Sequence, residues 1–505
     1  MHDSDDEQYL ASLGYAQQLF REMGGFSNFA ISFSIISILT GAVLLYGYGL
    51  KFAGPVVSSV GWPLVSVFTL AVAASMAEIA SAYPTAGGLY FWALRLGGRG
   101  WAWTTAWLNM IGQVTITGGI NIAAAIYLIG AATRLFGLQG AYLTTWPFQV
   151  AVMIAILIPQ VLINLYGIGL TARLSDISVW WHIAGVVLIA GALTIFGNHQ
   201  SLSFLFSFAP AVNAYDASAA MTAGEFSMRS PLFALFPSLA SLYRAAPPAL
   251  LFVLALLQAQ WTYTGYDASA HVAEETTMAR KNTAWGIFLS VAVSAVAGYV
   301  MLMALTWCIP DGDVAATAAD PYPVLYILAK NLSPLLTNAI ALIIGGAMWL
   351  CGLASVTSMA RMWYAFARDG GMPASRLIAR VSGRHRTPVA AIVVTSILSV
   401  LVCLYAAAFY VVTSISTIAL YLAYVIPVLL HLRRRLPEQA RVWSLGRFGR
   451  AINVVAVLWC AFIAVVFMLP PNELVLWTMV AFALALAACW LLWSRSRFLA
   501  APRSS

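Results

Sequence analysis

Two short stretches of this 505-residue chain combine residue types that could hold an ionic solute without an exposed charge of their own. The first reads Ser32-Phe33-Ser34-Ile35-Ile36-Ser37-Ile38-Leu39-Thr40-Gly41, dense in small hydroxyl residues, with Gly47 and Gly49 shortly beyond. The second reads Trp261-Thr262-Tyr263-Thr264-Gly265-Tyr266-Asp267. Both are poor centres for a continuous helix in an apolar run: glycine costs about 1 kcal/mol relative to alanine, and Ser and Thr compete for backbone hydrogen bonds. In hydrocarbon, freed backbone groups persist only where they line a cavity buried in protein. Paired helix interruptions are therefore expected at Thr40-Gly41 and Thr264-Gly265, forming two halves of one binding site for a small organic solute. The competing reading is close helix packing through small residues.

Titratable groups sit near these stretches. Asp267 is the carboxylate nearest the second one, and an ionisable group inside an apolar span is a functional hypothesis by default because its burial is costly. It could bind a substrate cation, take a proton or cap the next half-helix. His271, one turn later, is expected to be solvated near the end of its span. His182, in Trp180-Trp181-His182, lies well inside another apolar run, and histidine titrates near neutral pH; a hydrogen-bonded core histidine is the alternative. Asn109, Gln113 and Thr117 share one helical face by their four-residue spacing, suited to lining a pathway or joining helices. Ser355, Thr357 and Ser358 offer hydroxyl oxygens, yet no sodium cage is evident. The five cysteines, Cys308, Cys351, Cys403, Cys460 and Cys489, have no CxxC or His-paired spacing, so packing is expected and neither a disulfide framework nor a metal site.

Composition identifies the elements that must position these residues. The chain is 61% hydrophobic and only 9% charged, against about 25% charged in a typical soluble domain. Apolar runs near the ~20 residues needed to cross a bilayer follow one another with short gaps. Punctuation by Gly, Pro and charge divides them into twelve spans: 26–48, 61–82, 102–131, 145–166, 177–196, 248–269, 284–309, 336–366, 389–407, 411–431, 451–469 and 475–493. The acidic N-terminal stretch lacks a basic region followed by a cleavable apolar one, so the first span is expected to act as its own signal. With that stretch in the cytoplasm, only Lys51, Arg134, Arg229, Arg244 and Lys330 of the 26 Lys and Arg fall outside, which fixes the orientation in a cell membrane with both termini cytoplasmic. The net charge of +8 thus reflects basic clusters at helix ends, not nucleic-acid binding. The connection 197–247 faces outward, carries Asp216 and Glu225, and is expected to hold a short helix over the mouth. Glu78, Arg95, Arg99, Glu274, Glu275, Arg280 and Lys281 are inner-gate pairs or solvated loop charges, and Arg361 and Arg368 suit snorkelling at a helix end.

The segment Gly265-Tyr266-Asp267-Ala268-Ser269-Ala270-His271-Val272-Ala273-Glu274-Glu275-Thr276 resembles the signature of the amino acid/choline transporter family, within the amino acid-polyamine-organocation superfamily. Three other stretches resemble it too: 24–30 before the first span, 84–90 (Pro84-Thr85-Ala86-Gly87-Gly88-Leu89-Tyr90) after the second, and 364–373 ending the eighth. The resemblance spans nearly the whole chain and implies a bacterial-type amino acid permease of LeuT-type fold. That fold is all-α and polytopic: twelve transmembrane helices in a five-plus-five inverted repeat, the first and sixth discontinuous, plus two C-terminal helices. It implies the division 1–25 cytoplasmic, 26–196 first repeat, 197–247 extracellular, 248–431 second repeat, 432–450 basic loop, 451–494 last two helices and 495–505 tail.

The same resemblance implies that Ser37, Thr40, Gly41 and Ala42 present backbone amides to a substrate carboxylate, as helix N-termini do for anions. This chain reads Gly41-Ala42-Val43 where relatives commonly have Gly-Ser-Gly. It implies Trp261 as an aromatic gate, with Tyr263, Thr264, Gly265 and Asp267 at the amine end. Proton-coupled relatives carry a lysine nine residues after an arginine matching Arg173, which is the position of His182. His182 and Asp267 are accordingly the proton-coupling candidates, a proton being expected over sodium and no cofactor or metal being called for. The implied activity is secondary active import of an amine-bearing solute, most simply an amino acid. A choline, polyamine or gamma-aminobutyrate carrier or exchanger and a non-transporting membrane sensor are the alternatives. An intramembrane enzyme would need a set such as HExxH or GxSxG, and neither occurs.

Overall fold

Apolar runs cut by glycine and proline produce helices throughout. The computed structural model describes residues 2–211, 231–405, 409–434, 436, 442–470, 472–495 and 498. Among these the only β-type pairing is one bridge between Met23 and Thr276. The chain begins with α1 (His2–Ser12) and α2 (Gly25–Ile36), turns sharply, and continues as α3 (Gly41–Leu44) and α4 (Tyr46–Ala53). Next come α5 (Trp62–Ala82), the short α6 (Leu89–Gly97), the 38-residue α7 (Arg99–Phe136), α8 (Trp146–Tyr166) and α9 (Ile168–Phe196). The 197–247 connection contains α10 (Pro231–Leu235) and α11 (Pro237–Ala245), and Tyr243 donates to the carbonyl of Pro470 at 2.7 Å; Asp216 and Glu225 lie outside the described residues.

Beyond it are α12 (Pro248–Ala255), α13 (Leu257–Thr262), α14 (Ala268–His271) and α15 (Ala279–Trp307). Then follow α16 (Val314–Ala319), α17 (Pro323–Asn331), α18 (Pro334–Arg368), α19 (Ser375–Ile378), α20 (Val389–Tyr405), α21 (Phe409–Arg433), α22 (Gly449–Val466) and α23 (Glu473–Cys489). Proline occupies the first turn of α5, α8, α11, α12, α17 and α18, where its missing N–H costs nothing.

Among the described residues ten helices are long and apolar enough to cross a membrane, or eleven if α11 and the α12–α13 segment, bent by 92°, form one span; α20 is apolar but shorter. The chain is an all-α polytopic membrane protein. α7 is the central helix, with 89% of its most apolar window buried, whereas the corresponding window of α23 is 11% buried and faces outward. Large apolar side chains such as Trp180, Val187, Val296 and Leu484 stand exposed on the perimeter, a surface suited to lipid. α9 starts at Ile168, earlier than the hydropathy of its sequence suggests, so Arg173 lies within the helix. Asp176 on that added length accepts a hydrogen bond from Ser27 at 3.0 Å.

One end of the bundle, the basal end, is closed by the N-terminal segment. Asp6 caps the first turn of α15 through the N–H groups of Met278 and Ala279, Arg21 reaches the carbonyl of Thr276, and Gln17 donates to the carbonyl of Glu274 at 2.7 Å. Arg361 and Arg368 do not snorkel: Arg361 is wholly buried, its Nε and Nη2 on the two oxygens of Glu275 at 3.0 and 3.2 Å. Arg368 makes the same two-pronged contact with Glu274 at 2.9 and 2.8 Å. Glu78 accepts hydrogen bonds from His431, Ser444 and the N–H of Leu445, while Arg95 donates to the carbonyl of Leu13. Glu78, Glu274, Glu275 and Arg361 are therefore internal, paired across helices in combinations that sequence neighbourhood does not reveal, whereas Arg95, Arg99 and Lys281 are exposed. Arg361→Met would leave Glu275 buried without its partner, at a cost of about 3–5 kcal/mol. The double change Arg361→Met/Glu275→Leu is expected to recover most of that loss, as read by unfolding in detergent.

Candidate functional site

Both interruptions are built from the residues that favour them. α2 ends at Ile36 and Ser37 takes up the left-handed region, φ 32° and ψ 82°. Its carbonyl then accepts the N–H groups of Thr40 at 2.8 Å and Gly41 at 3.1 Å, so the chain restarts at Gly41 after one tight turn. In the second stretch α13 ends at Thr262, and the carbonyl of Trp261 accepts both the N–H of Thr264, at 3.1 Å, and its hydroxyl. Gly265 follows at φ +91°, before the chain restarts at Ala268.

The two interruptions touch each other. A Cβ on Gly41 would lie 2.8 Å from Cα of Thr262, and one on Gly265 would overlap Cγ2 of Ile35. Each glycine thus packs on the chain just ahead of the other's interruption. Between them Ile35, Ile36, Thr40, Gly41, Ile116, Ile120, Trp261, Thr262 and Thr264 line a cavity with about 10 Å³ for the centre of a water-sized sphere, room for about one water.

Of the other expected residues, Ala42 is wholly buried, Trp261 donates from Nε1 to Ser416 at 3.2 Å, and the Tyr263 hydroxyl lies 2.6 Å from that of Ser66. The ring of Tyr263 also packs on Trp62, with centroids 4.8 Å apart. Cys351 donates to the carbonyl of Ile35 at 3.3 Å, which ties α18 to the end of α2. His182 reaches the first interruption directly: Nε2 is 2.8 Å from the Ser37 hydroxyl, Nδ1 is 2.7 Å from the Ser178 carbonyl, and the ring stands edge-on to Phe33. The hydroxyls of span eight do not converge: Ser355 meets Thr117 at 2.7 Å and Thr357 donates to Asn164 at 2.8 Å.

Asp267 is wholly buried and surrounded by donors. Asn109 at 2.9 Å, Gln113 at 3.2 Å and His271 at 3.1 Å meet Oδ2, and the Tyr424 hydroxyl meets Oδ1 at 2.8 Å. Tyr424 also accepts the N–H of Gly265 at 3.1 Å, linking the carboxylate to the second interruption. The polar stripe of α7 therefore serves this carboxylate as well as the packing between helices. His271 is not solvated as its position in the sequence suggested; it is buried because the 84–90 segment covers it, with the carbonyl of Ala86 3.2 Å from Nδ1. Sequence reasoning missed Tyr424, an aromatic residue inside an apolar helix with nothing to separate it from its neighbours. It also missed the sharing of Ser32 and Asn28: Ser32 donates to the carbonyl of Tyr266 and accepts the N–H of Ser269, and Asn28 donates to the carbonyl of Ser269.

The four signature stretches meet at the basal side of the site. Asn28 belongs to the first, Ala86 and Tyr90 to the second, Ser269 to Thr276 to the third, and Arg368 and Asp369 to the fourth. Ala86 donates its N–H to Glu274 at 3.0 Å, and Tyr15 and Tyr90 both lie 2.7 Å from Oδ2 of Asp369. Burial opposes the charge on Glu274, but the Arg368 guanidinium, its hydrogen bonds and the Ala86 N–H outweigh it and hold the carboxyl below the ordinary glutamate range. Asp369 goes the other way: burial raises it despite Arg368 and the two tyrosines.

The model of a family described as amino acid permease matches residues 23–493. An amino-acid permease BAT1 homolog of Oryza sativa subsp. japonica is 35% identical over 91% of this chain and 87% of its own. The amino-acid permease BAT1 of Arabidopsis thaliana is 34% identical over 91% and 88%. A GABA-specific permease of Saccharomyces cerevisiae is 27% identical over 79% and 66%. These relatives are plant and fungal, not bacterial.

Gly265→Ala is expected to cost about 1–2 kcal/mol in backbone strain plus the overlap with Ile35, and to lower both thermal stability and solute uptake. Adding Ile35→Ala should relieve only the overlap. Because the Glu274 carboxyl is lowered on folding, its contribution is fully present above the ordinary value of about 4.3 and is lost as pH falls through the lowered one. Glu274→Gln should remove that part of the acid sensitivity, measured as melting temperature in detergent as pH falls below about 4.3.

Proposed function

Because this chain belongs to the amino acid permease family, we propose that it is a secondary active importer of amino acids or related amines, working by alternating access with a proton as coupling ion. The mutual contact of the two interrupted helices carries this reading. In this reading the Thr40-Gly41 turn would give amides to a carboxylate and Trp261-Thr264 carbonyls to an amine once the helices part, since here the Thr40 and Gly41 N–H groups are on the Ser37 carbonyl and Thr264 occupies that of Trp261. The cavity there admits about one water, so a solute of amino-acid size enters only when the helices part, which is the motion alternating access requires. A proton moving down 100 mV supplies about 2.3 kcal/mol, enough for roughly 50-fold accumulation.

In this reading Ser37, Thr40, Gly41 and Ala42 take the carboxylate end, and Trp261, Tyr263, Thr264 and Gly265 the amine end. His182 and Asp267 are the titratable groups within reach of the two interruptions. The chain is divided into five-helix repeats at 26–196 and 248–431, with two further helices at 451–494, twelve spans in all. It lies in the cell membrane with both termini cytoplasmic and the basal end inward. A polyamine carrier needs a carboxylate open to a cation, and four hydrogen-bond donors already occupy Asp267. That favours a zwitterion, gamma-aminobutyrate included.

The deciding experiment is reconstitution in proteoliposomes with labelled amino acids, gamma-aminobutyrate, choline and polyamines, under proton or sodium gradients imposed separately. Proton-driven uptake of a zwitterion is expected, with Trp261→Ala raising the half-saturation concentration about tenfold, ~1.4 kcal/mol. Sodium-driven uptake that ignores the proton gradient and persists in His182→Ala would overturn the coupling. No uptake of any amine-bearing solute would overturn the transport reading.

A further inference from the structure

His271 stands between two hydrogen-bond acceptors. Its Nε2 lies 3.1 Å from Oδ2 of Asp267 and its Nδ1 lies 3.2 Å from the carbonyl of Ala86, with the ring wholly buried. A neutral imidazole has one N–H and one lone pair, and neither a carbonyl nor an ionised carboxylate can donate to the lone pair. Both contacts hold together only if the pair carries one extra proton, on the ring or on the carboxyl. Asn109, Gln113 and Tyr424 all aim at the Asp267 oxygens, which favours the carboxylate and puts the proton on the ring. His182 has no such requirement. Its Nδ1 meets a carbonyl, but its Nε2 meets the Ser37 hydroxyl, which can give or take a hydrogen, so a neutral ring satisfies both.

We propose that the coupled proton resides on the Asp267–His271 pair, and that its departure releases the 84–90 segment from α14 and so loosens the basal end. This rests on the proton-coupled reading above and names the group that bears the proton. The consequence of deprotonation follows from the partners. Asp267 keeps its other donors, so a neutral ring retains Nε2–H toward the carboxylate and turns a lone pair on the Ala86 carbonyl. The 84–90 segment then loses one of its ties. Gly88, at φ +46°, allows this close seating, since a Cβ there would stand 3.1 Å from Cε1 of His271.

Apart from the exposed Lys281, the charges on the elements packed against His271 are otherwise engaged. Glu274 pairs with Arg368 and Glu275 with Arg361, α2 carries no charged residue, and Arg280 and Lys281 sit in the first turn of α15, Arg280 over the ring of Tyr9. Tyr424 of α21 and the ring of Tyr266 adjoin Asp267, and α7 contributes only the amides of Asn109 and Gln113.

The test is the number of protons taken up per amino acid in proteoliposomes, measured with a trapped pH dye and labelled solute. This ratio does not depend on how much of the carrier is active, so a partial folding defect does not move it. His271→Gln and His271→Asn each offer Asp267 an amide donor but have no proton to exchange. In either variant the ratio is expected to fall at least ~10-fold, and either one decides alone if the other fails to fold. His431→Gln is the control, because His431 meets Glu78 at 3.2 Å and the Arg434 carbonyl at 3.3 Å in similar geometry but does not touch either interruption; its ratio should match the wild type. A wild-type ratio in a His271 variant, or its loss in the His431 variant alone, overturns the assignment and leaves proton coupling standing. Solute uptake without protons in the wild type overturns proton coupling itself, and this assignment with it.

Discussion

A chain crossing hydrocarbon must satisfy its backbone groups internally, and at the two interrupted helices this protein does so by pressing them together. The Ser37 carbonyl collects two amides, the Trp261 carbonyl collects an amide and a hydroxyl, and the Tyr424 hydroxyl takes the N–H of Gly265. The arrangement requires glycine at both contacts, because Gly41 approaches the backbone of Thr262 and Gly265 the side chain of Ile35. Much of the surrounding polarity follows from that approach. Once the helices stop, their neighbours must supply donors and acceptors, which Asn28, Ser32, Asn109, Gln113 and His182 do from α2, α7 and α9.

The same constraint explains why a carboxylate can be buried beside the second interruption. Burying an unpaired charge costs several kcal/mol, and Asp267 is compensated by four donors from three separate elements. One of those donors, His271, in turn holds the 84–90 segment, whose Ala86 N–H is on Glu274, whose carboxylate is on Arg368. A continuous chain of polar contacts therefore runs from the second interruption to the basal end. A change of charge at Asp267–His271 has a physical route to the basal ion pair of Glu274 and Arg368.

How much of this was legible in the sequence depends on the range of each interaction. The local departures from helix at 37–40 and 263–267 were, because helix-poor residues in an apolar run are a local signal. The helical, membrane-embedded class followed from composition for the same reason. Partners were not: Arg361 finds Glu275 and Arg368 finds Glu274 across a separation of more than eighty residues, and neighbourhood in sequence suggested solvent instead. His271 was misjudged because the segment that buries it precedes it by 185 residues. Tyr424 left no trace, since its polar oxygen gains meaning only when Gly265 and Asp267 are brought to it.

The interactions around the site are unequal on its two sides, and that inequality bears on how the helices part. Toward the basal end the second interruption is followed by two buried Arg–Glu pairs, the N-terminal segment laid across Thr276, and the Asp369 cluster with Tyr15 and Tyr90. Breaking a buried pair costs about 3–5 kcal/mol if a partner is left uncompensated. Toward the opposite end the contacts nearest the site are neutral, Tyr46 with Thr306 at 2.8 Å, Tyr263 with Ser66 at 2.6 Å, Trp261 with Ser416 at 3.2 Å and Gly47 against Pro323, and the ion pair beyond them, Arg134 with Asp320 at 4.0 Å, is partly exposed. A neutral hydrogen bond contributes about 0.5–1.5 kcal/mol net and is readily replaced by water. On the proposed alternating-access reading, opening away from the basal end therefore breaks fewer buried charge pairs than opening at it.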